Sequence, residues 1–200
     1  MTVRDDAEAL LDAARAAYGD HVSDPDARAS LDRIFASVTR PVTVRDGAGE
    51  RREVCAHLEA LPRGAALGSE TLQNLVGAFL RLEPSLRWYK RGGDAPNANE
   101  AYFDGHANAM IVGPGGLVPH GNAWLGVSLL APGVRYPDHT HPPEETYLVL
   151  SDGEFSQDGV TWFTPGIGGT FYNPPGILHA MRSGAVPLFA MWALWADTRD

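Results

Sequence analysis

The stretch His139-Thr140-His141-Pro142-Pro143-Glu144-Glu145-Thr146-Tyr147 decides how this chain is read. In an extended backbone, side chains two positions apart share a face. His139 and His141 therefore project together, and beyond the bend set by Pro142-Pro143 so do Glu145 and Tyr147. About 32 residues further on, Asn173-Pro174-Pro175-Gly176-Ile177-Leu178-His179 delivers a third histidine directly after a tight turn. Neutral imidazoles with one carboxylate suit a first-row divalent ion such as Fe²⁺, Mn²⁺, Co²⁺, Ni²⁺ or Zn²⁺. Three or four protein ligands leave a coordination position open, which catalysis needs and a closed structural site lacks.

The sequence around these motifs is broken by turn residues. Residues 81–200 hold sixteen of the 22 glycines and twelve of the 15 prolines; residues 1–80 hold six and three. Helix interiors reject both types, whereas turns between short strands collect them. Apolar runs at Ala109–Val112, Trp124–Leu130, Thr146–Leu150, Val160–Phe163, Gly169–Tyr172 and Leu188–Trp195 predict the strands of a small β-barrel. Val149–Gly159 reads as a hairpin turning at Ser151-Asp152-Gly153. The run Leu188–Trp195 is apolar on both faces and is expected to lie between the barrel and the helices.

Upstream the period changes. Leu10, Leu11, Ala14, Ala17 and Tyr18 form one helical stripe. Asp24-Pro25 caps a second, with Leu31, Ile34, Phe35 and Val38 inward. Val54, Leu58 and Leu61 make a shorter third, and Ser69 caps a fourth carrying Leu72, Leu75, Val76 and Phe79. The expected organisation is mainly β: a helical extension over residues 1–84 packed on a barrel over residues 85–200 that carries the metal site.

Composition narrows the function classes. Sixteen basic against twenty-five acidic residues give a net charge of −9, which argues against nucleic-acid or anionic-membrane partners. No apolar run reaches the ~20 residues of a membrane span, and the N-terminus lacks a signal peptide's apolar stretch. The expectation is a cytoplasmic protein. The lone Cys55 cannot form an internal disulfide and reads as a buried helix residue. His21, His57, His106 and His120, away from the motifs, read as surface residues. A single lysine among sixteen basic residues, with abundant alanine, hints at a high-GC bacterial genome.

Gly133-(x5)-His139-x-His141-(x3)-Glu145 resembles the first cupin motif, and Gly168-(x5)-Pro174-x-Gly176-(x2)-His179 the second. Two departures, a late glycine at Gly153 and Ser183 in place of an asparagine, touch no ligand position. Asn108–Gly116, Gly126–Leu130, Val134–Asp138, His141–Glu145 and Gly169–Pro175 are further similar to cupin-type dimethylsulfoniopropionate (DMSP) lyases. The discriminating detail is Glu145-x-Tyr147. The resemblance implies a double-stranded β-helix (jelly-roll barrel) and a carbon–sulfur lyase of the dimethylpropiothetin dethiomethylase type. It implies one divalent metal, iron or zinc among the options, on His141, Glu145 and His179. Tyr147 is implied as ligand or catalytic base, His139 as a weaker or outer ligand, and Tyr136 as an aromatic beside the substrate that is catalytic together with Tyr147.

The expected substrate is a zwitterion, a carboxylate at one end and a dimethylsulfonium at the other. Its cleavage to dimethyl sulfide and acrylate requires removal of an α proton beside a carboxylate. A metal acting as Lewis acid on that carboxylate would help, as would a phenolate at Tyr147 favoured by a nearby cation. The sulfonium calls for aromatic faces, for which Tyr136, Tyr172, Trp162 and Trp124 are candidates. Arg135 and Arg182 read as barrel-rim ion-pairing residues. A lyase-like cupin acting on another small carboxylate, as an Fe(II) dioxygenase, is the alternative, and a non-enzymatic ligand-binding or oligomer-forming cupin is a third reading. The apolar closing strand is consistent with a homodimer.

Overall fold

Capping fixes where the helices start. The computed structural model describes residues 2–197; Met1 and residues 198–200 of the expected segments lie outside them. Thr2 and Asp5 cap α1 (Val3–His21) reciprocally: the hydroxyl accepts from the Asp5 N–H at 3.2 Å and the carboxylate from the Thr2 N–H at 2.7 Å. Asp24 accepts from two first-turn N–H groups of α2 (Pro25–Ser37), with proline at its first position. Ser69 caps α3 (Glu70–Leu82). The predicted inward residues of α1 and α3 are buried. The third stripe differs: Glu53–Ala60 forms a 3₁₀ helix, ended by Leu61-Pro62. Cys55 is buried within it.

The strands are β1 (Trp88–Tyr89), β2 (His106–Val112), β3 (Ala123–Leu130), β4 (Glu144–Val149), β5 (Glu154–Ser156), β6 (Thr170–Asn173), β7 (Ala180–Arg182) and β8 (Leu188–Trp195). A short helix, α4 (Tyr102–Gly105), precedes β2. Six strands form one antiparallel sheet in the order β1-β2-β3-β8-β4-β6, and β5 pairs with β7 in a second layer. Bridges Arg135–Arg182 and His139–His179 extend that layer.

Alternation sorts the large sheet into two faces. Leu125, Val127 and Leu129 of β3, Leu148 of β4, and Phe189, Met191 and Ala193 of β8 join the helical residues in one core. Phe79 of α3 meets Phe189 at 4.9 Å between ring centroids. Leu130, Tyr147, Val149, Leu188, Ala190, Trp192 and Leu194 point the other way, into the barrel interior. The closing strand β8 is thus buried on both faces, as its composition predicts, and α2 lies across it. No helix among the described residues is long and apolar enough to cross a membrane.

Three local expectations are corrected. The turn at Ser151-Asp152-Gly153 does not close a hairpin: β4 and β5 lie in different layers, and the chain crosses between them while Phe189 O accepts from Leu150 and Ser151 N–H. Val160–Phe163 is not a strand. It contributes only the Phe155–Phe163 bridge, because an Asx turn at Asp158 holds Val160 and Thr161 at the surface. His106 is buried rather than exposed: its ring stacks on Tyr102 at 3.9 Å and its Nε2 accepts from the Arg91 N–H. His21, half-buried, bridges Ser69 Oγ and Gly168 O, each at 2.9 Å.

Candidate metal centre

Two backbone devices bring the histidines together. His139 and His179 exchange N–H···O bonds of 3.0 Å in an antiparallel bridge, which sets both side chains on one face with ring centroids 4.0 Å apart. The bridge is isolated, so the His139–His141 pair sits on extended backbone outside any longer strand. His141 is tied to the second motif by its carbonyl, which accepts from the Gly176 N–H at 3.0 Å. Pro174-Pro175-Gly176-Ile177 is a type II turn: Ile177 N–H reaches Pro174 O, and Gly176 has φ +75°, which glycine adopts without strain.

The three rings are fixed in one tautomer. Each Nδ1 meets a backbone carbonyl: His139 with Pro137 at 2.9 Å, His141 with Pro143 at 2.9 Å, His179 with Ile177 at 3.0 Å. A carbonyl only accepts, so Nδ1 carries the proton and Nε2 presents a lone pair. One ligand nitrogen from each histidine lies within 4.8 Å of the other two.

Glu145 completes the cluster from β4. Its Oε2 lies 3.4 Å from His141 Nε2 and 3.3 Å from His179 Nε2, and accepts from Asn173 Nδ2 at 3.2 Å. Asn173 stands directly opposite on β6. His179 Nε2 is buried and has no hydrogen-bond partner among the described residues; the Glu145 oxygen is close but not placed to form one. Converging lone pairs facing a buried carboxylate need a cation to balance them. The donor set therefore fits a divalent transition ion.

The electrostatics agree. Burial would raise the Glu145 carboxyl, but His141 and His179 overcome that and hold it well below the carboxylate range. Burial and the neighbouring His179 push His139 down to about 3, so it stays neutral. For His141, burial acts downward, yet the Glu145 charge raises it overall.

Tyr147 shares the inward face of β4 with Glu145. Its ring stacks on Phe171, with centroids 5.0 Å apart and planes 14° from parallel. Burial, then the Glu145 charge, push the phenol well above its ordinary value. Tyr136 meets His139 edge-on at 5.2 Å, and its oxygen accepts from Asn108 Nδ2 at 3.1 Å.

A cavity of about 260 Å³ opens onto this cluster and collects most of the candidates: His139, His141, Glu145, Tyr147, Tyr136 and Trp124. Three candidates are not on its wall: His179, whose buried ring meets that of His139, and Trp162 and Tyr172. Trp162 is outside the cavity, its ring under the guanidinium groups of Arg182 at 4.1 Å and Arg135 at 5.4 Å. Those arginines pair with Glu154 and Asp138, the rim role expected of them. Tyr172 stands opposite Thr146, one residue out of phase with Glu145, so it faces the helical side and donates to Glu144. Strand parity decides this, and an apolar run alone does not reveal it.

The sequence reading missed Tyr89, Arg91, Asn108, Met110, Ser128, Met181, Trp192 and Leu194 on the cavity wall. Asn108 and Ser128 had a usable signal: each is a polar residue inside an otherwise apolar strand, and each is buried. A second, larger cavity of about 650 Å³, bounded by Arg33, Glu144 and Trp195, shares the Trp124 wall.

Residues 26–190 match the family model described as dimethylsulfoniopropionate lyase. The putative dimethylsulfoniopropionate lyase DddL of Cereibacter sphaeroides is 28% identical over 171 residues, covering 84% of this chain and 70% of that one. The dimethylsulfoniopropionate lyase DddQ of Ruegeria pomeroyi is 32% identical over 95 residues, 47% of each chain. The crystal structure of DMSP lyase DddQ from Ruegeria pomeroyi superposes with a TM-score of 0.75 at 22% identity, covering 98% of this chain and 93% of that one. The shared architecture is the cupin barrel with N-terminal helices.

Proposed function

The chain belongs to the dimethylsulfoniopropionate lyase family, whose members are carbon–sulfur lyases, and from that premise we propose that it cleaves DMSP to dimethyl sulfide and acrylate with Tyr147 as the base. His139, His141, His179 and Glu145 would hold one divalent transition ion. Bound there, the ion would supply Lewis acidity toward the substrate carboxylate and a positive field that favours an ionised phenol.

In this reaction a base takes a proton from the carbon next to the carboxylate. The electrons of that C–H bond form the C=C bond of acrylate, and the C–S pair leaves with sulfur as neutral dimethyl sulfide. The single observation that carries the reading is the shared face of Glu145 and Tyr147, set against three clustered histidine nitrogens, with His139 and His141 on the wall of the same cavity. Phe171 and Phe155 pack against the Tyr147 ring and leave its oxygen little freedom. The protonated phenol of the metal-free chain is therefore its resting form, and the active form is the phenolate.

The sulfonium end needs no counter-carboxylate. Trp124 and Trp192, both on the cavity wall, offer ring faces of the kind that attract such cations. Arg91 brings a guanidinium to the same wall and would draw in the carboxylate end.

The test is headspace dimethyl sulfide with acrylate in parallel, from protein loaded separately with Fe²⁺, Mn²⁺, Co²⁺, Ni²⁺ and Zn²⁺. Equal release of both products is expected, and Tyr147→Phe should lower kcat about 10²- to 10⁴-fold, the scale of a positioned base. Full activity in Tyr147→Phe removes the phenol from the mechanism. No release from protein that demonstrably holds metal assigns the site to another small carboxylate.

A further inference from the structure

Four buried side chains on the cavity wall form a continuous hydrogen-bonded line. Trp192 Nε1 donates to Ser128 Oγ at 3.1 Å, Ser128 donates to Asn108 Oδ1 at 2.7 Å, and Asn108 Nδ2 donates to the Tyr136 oxygen at 3.1 Å. The sheet builds it directly: Asn108 and Ser128 are opposite partners on β2 and β3, and Trp192 faces Gly126, two residues before Ser128. All four are at most 7% exposed.

The direction of this line follows from one end. An indole N–H can only donate, so Ser128 must accept from it and is left to give its own hydrogen onward. The acceptor it meets has to be the amide oxygen of Asn108, which turns the NH₂ group toward Tyr136. Flipping that amide would turn its NH₂ group onto the Ser128 hydroxyl and leave the serine hydrogen without a side-chain acceptor among the described residues. Tyr136 consequently accepts at its oxygen, and its own hydrogen is uncommitted on the cavity side.

We propose that Trp192, Ser128 and Asn108 are a one-way positioning relay that fixes Tyr136 as a hydrogen-bond donor to the substrate carboxylate. The two phenols then divide the work: Tyr147 removes the proton, and Tyr136 holds the acid group. This rests on the reading that the cavity takes a small carboxylate substrate.

The test uses propionate, the substrate's acid end without its sulfonium, titrated calorimetrically into full-length protein in one fixed metal state. Tyr136→Phe removes the donor. Asn108→Asp keeps the shape but can only accept, so it draws the Tyr136 hydrogen away from the cavity. Each should weaken propionate about ten- to a hundredfold, the worth of a hydrogen bond to a charged group. The double variant should lose clearly less than the product of the two single losses, because both changes remove the same bond, any excess over Tyr136→Phe being repulsion between the new carboxylate and propionate. A residue with a merely structural role would give losses that multiply.

Wild-type affinity in Asn108→Asp, multiplying losses, or no propionate binding by the unaltered protein would each overturn the relay. If Asn108→Asp does not fold, Ser128→Ala takes its place in the same cycle with the same expectation. Coupled propionate binding in a protein that releases no dimethyl sulfide would support the relay while refuting the DMSP reading, so the two fail separately.

Discussion

Gly126→Ala is a one-carbon perturbation whose effect can be worked from distances. Gly126 stands on β3 opposite Trp192 of β8 and Met110 of β2. A Cβ there would lie 2.3 and 2.4 Å from two carbons of the Trp192 ring and 2.6 Å from the Ala109 carbonyl oxygen. Carbon atoms pack at about 3.5 Å or more, so the ring would have to retreat by about 1.2 Å. The second contact is backbone, so a side-chain rotation alone cannot relieve the crowding, and β2 must also give. Overpacking of this kind costs about 1–3 kcal/mol. For a chain of this size that lowers Tm by about 2–12 °C. The ring movement also stretches the 3.1 Å bond from Trp192 to Ser128. The variant should therefore melt earlier, show altered tryptophan fluorescence and bind propionate more weakly. Its metal content should stay that of the unaltered protein, since no ligand changes. Thermal melting by circular dichroism, elemental analysis and calorimetry read these separately. Wild-type melting together with wild-type propionate affinity would refute the packing argument.

In metal-free protein, burial and His179 hold His139 down to about 3, so between that value and the ordinary histidine value of about 6.5 the unfolded chain binds the proton and the folded chain does not. Stability should fall as pH drops through this window, by up to about 1.4 kcal/mol per pH unit from this group; urea midpoints in chelator should show the slope, and His139→Asn should make it shallower, with the parts due to the depressed His106 and, at the acid end, to Glu145 remaining. Asn173→Ala releases the Glu145 carboxylate from its 3.2 Å bond and should weaken metal binding about 10- to 100-fold, measured by competition with a chromophoric chelator; unchanged affinity would exclude Asn173 as an anchor. Trp162→Ala should leave KM for DMSP unchanged, because that ring packs on Arg135 and Arg182 outside the cavity, whereas Trp124→Ala should raise it about two- to thirtyfold if its face receives the sulfonium.

How much of this was legible in the sequence depends on element length and on parity. The helices announced themselves through caps and three- and four-residue stripes, and the long strands β3 and β8 through unbroken apolar runs. The second layer did not. β5 and β7 are three residues each, too short for a period to register, and the His139 segment is held by a single bridge. The spacing of the two motifs nevertheless brought His139, His141, Glu145 and His179 onto one list, because those intervals are set by a bend and a type II turn that the sequence spells in proline and glycine. The aromatic candidates scattered for a different reason. Tyr172 and Trp162 neighbour the motifs in sequence, but side-chain direction depends on register against a partner strand. Ser128 was overlooked inside a run judged by its apolar neighbours, and Asn108 lies just before the run that begins at Ala109.

The N-terminal helices place no side chain on the wall of the metal-site cavity, yet the chemistry proposed there depends on them. They bury the outer faces of β4 and β8, whose inner faces carry Glu145, Tyr147 and Trp192. Tyr18 of α1 donates to Thr146 O at 3.3 Å, between the two functional residues of β4, and Arg33 of α2 pairs with Glu144 beside them. With water excluded on the helical side these charges are little screened: burial, then the Glu145 charge, push the Tyr147 phenol up, while His141 and His179 hold the Glu145 carboxyl down against its own burial. The same lack of screening would make a cation among the three histidine nitrogens count strongly at Tyr147. A site open to solvent on the helical side would weaken both effects together. On this reasoning the helices act on the proposed base through the dielectric of the strand that carries it, and loosening their contact with β4 should reduce activity before it disturbs any ligand.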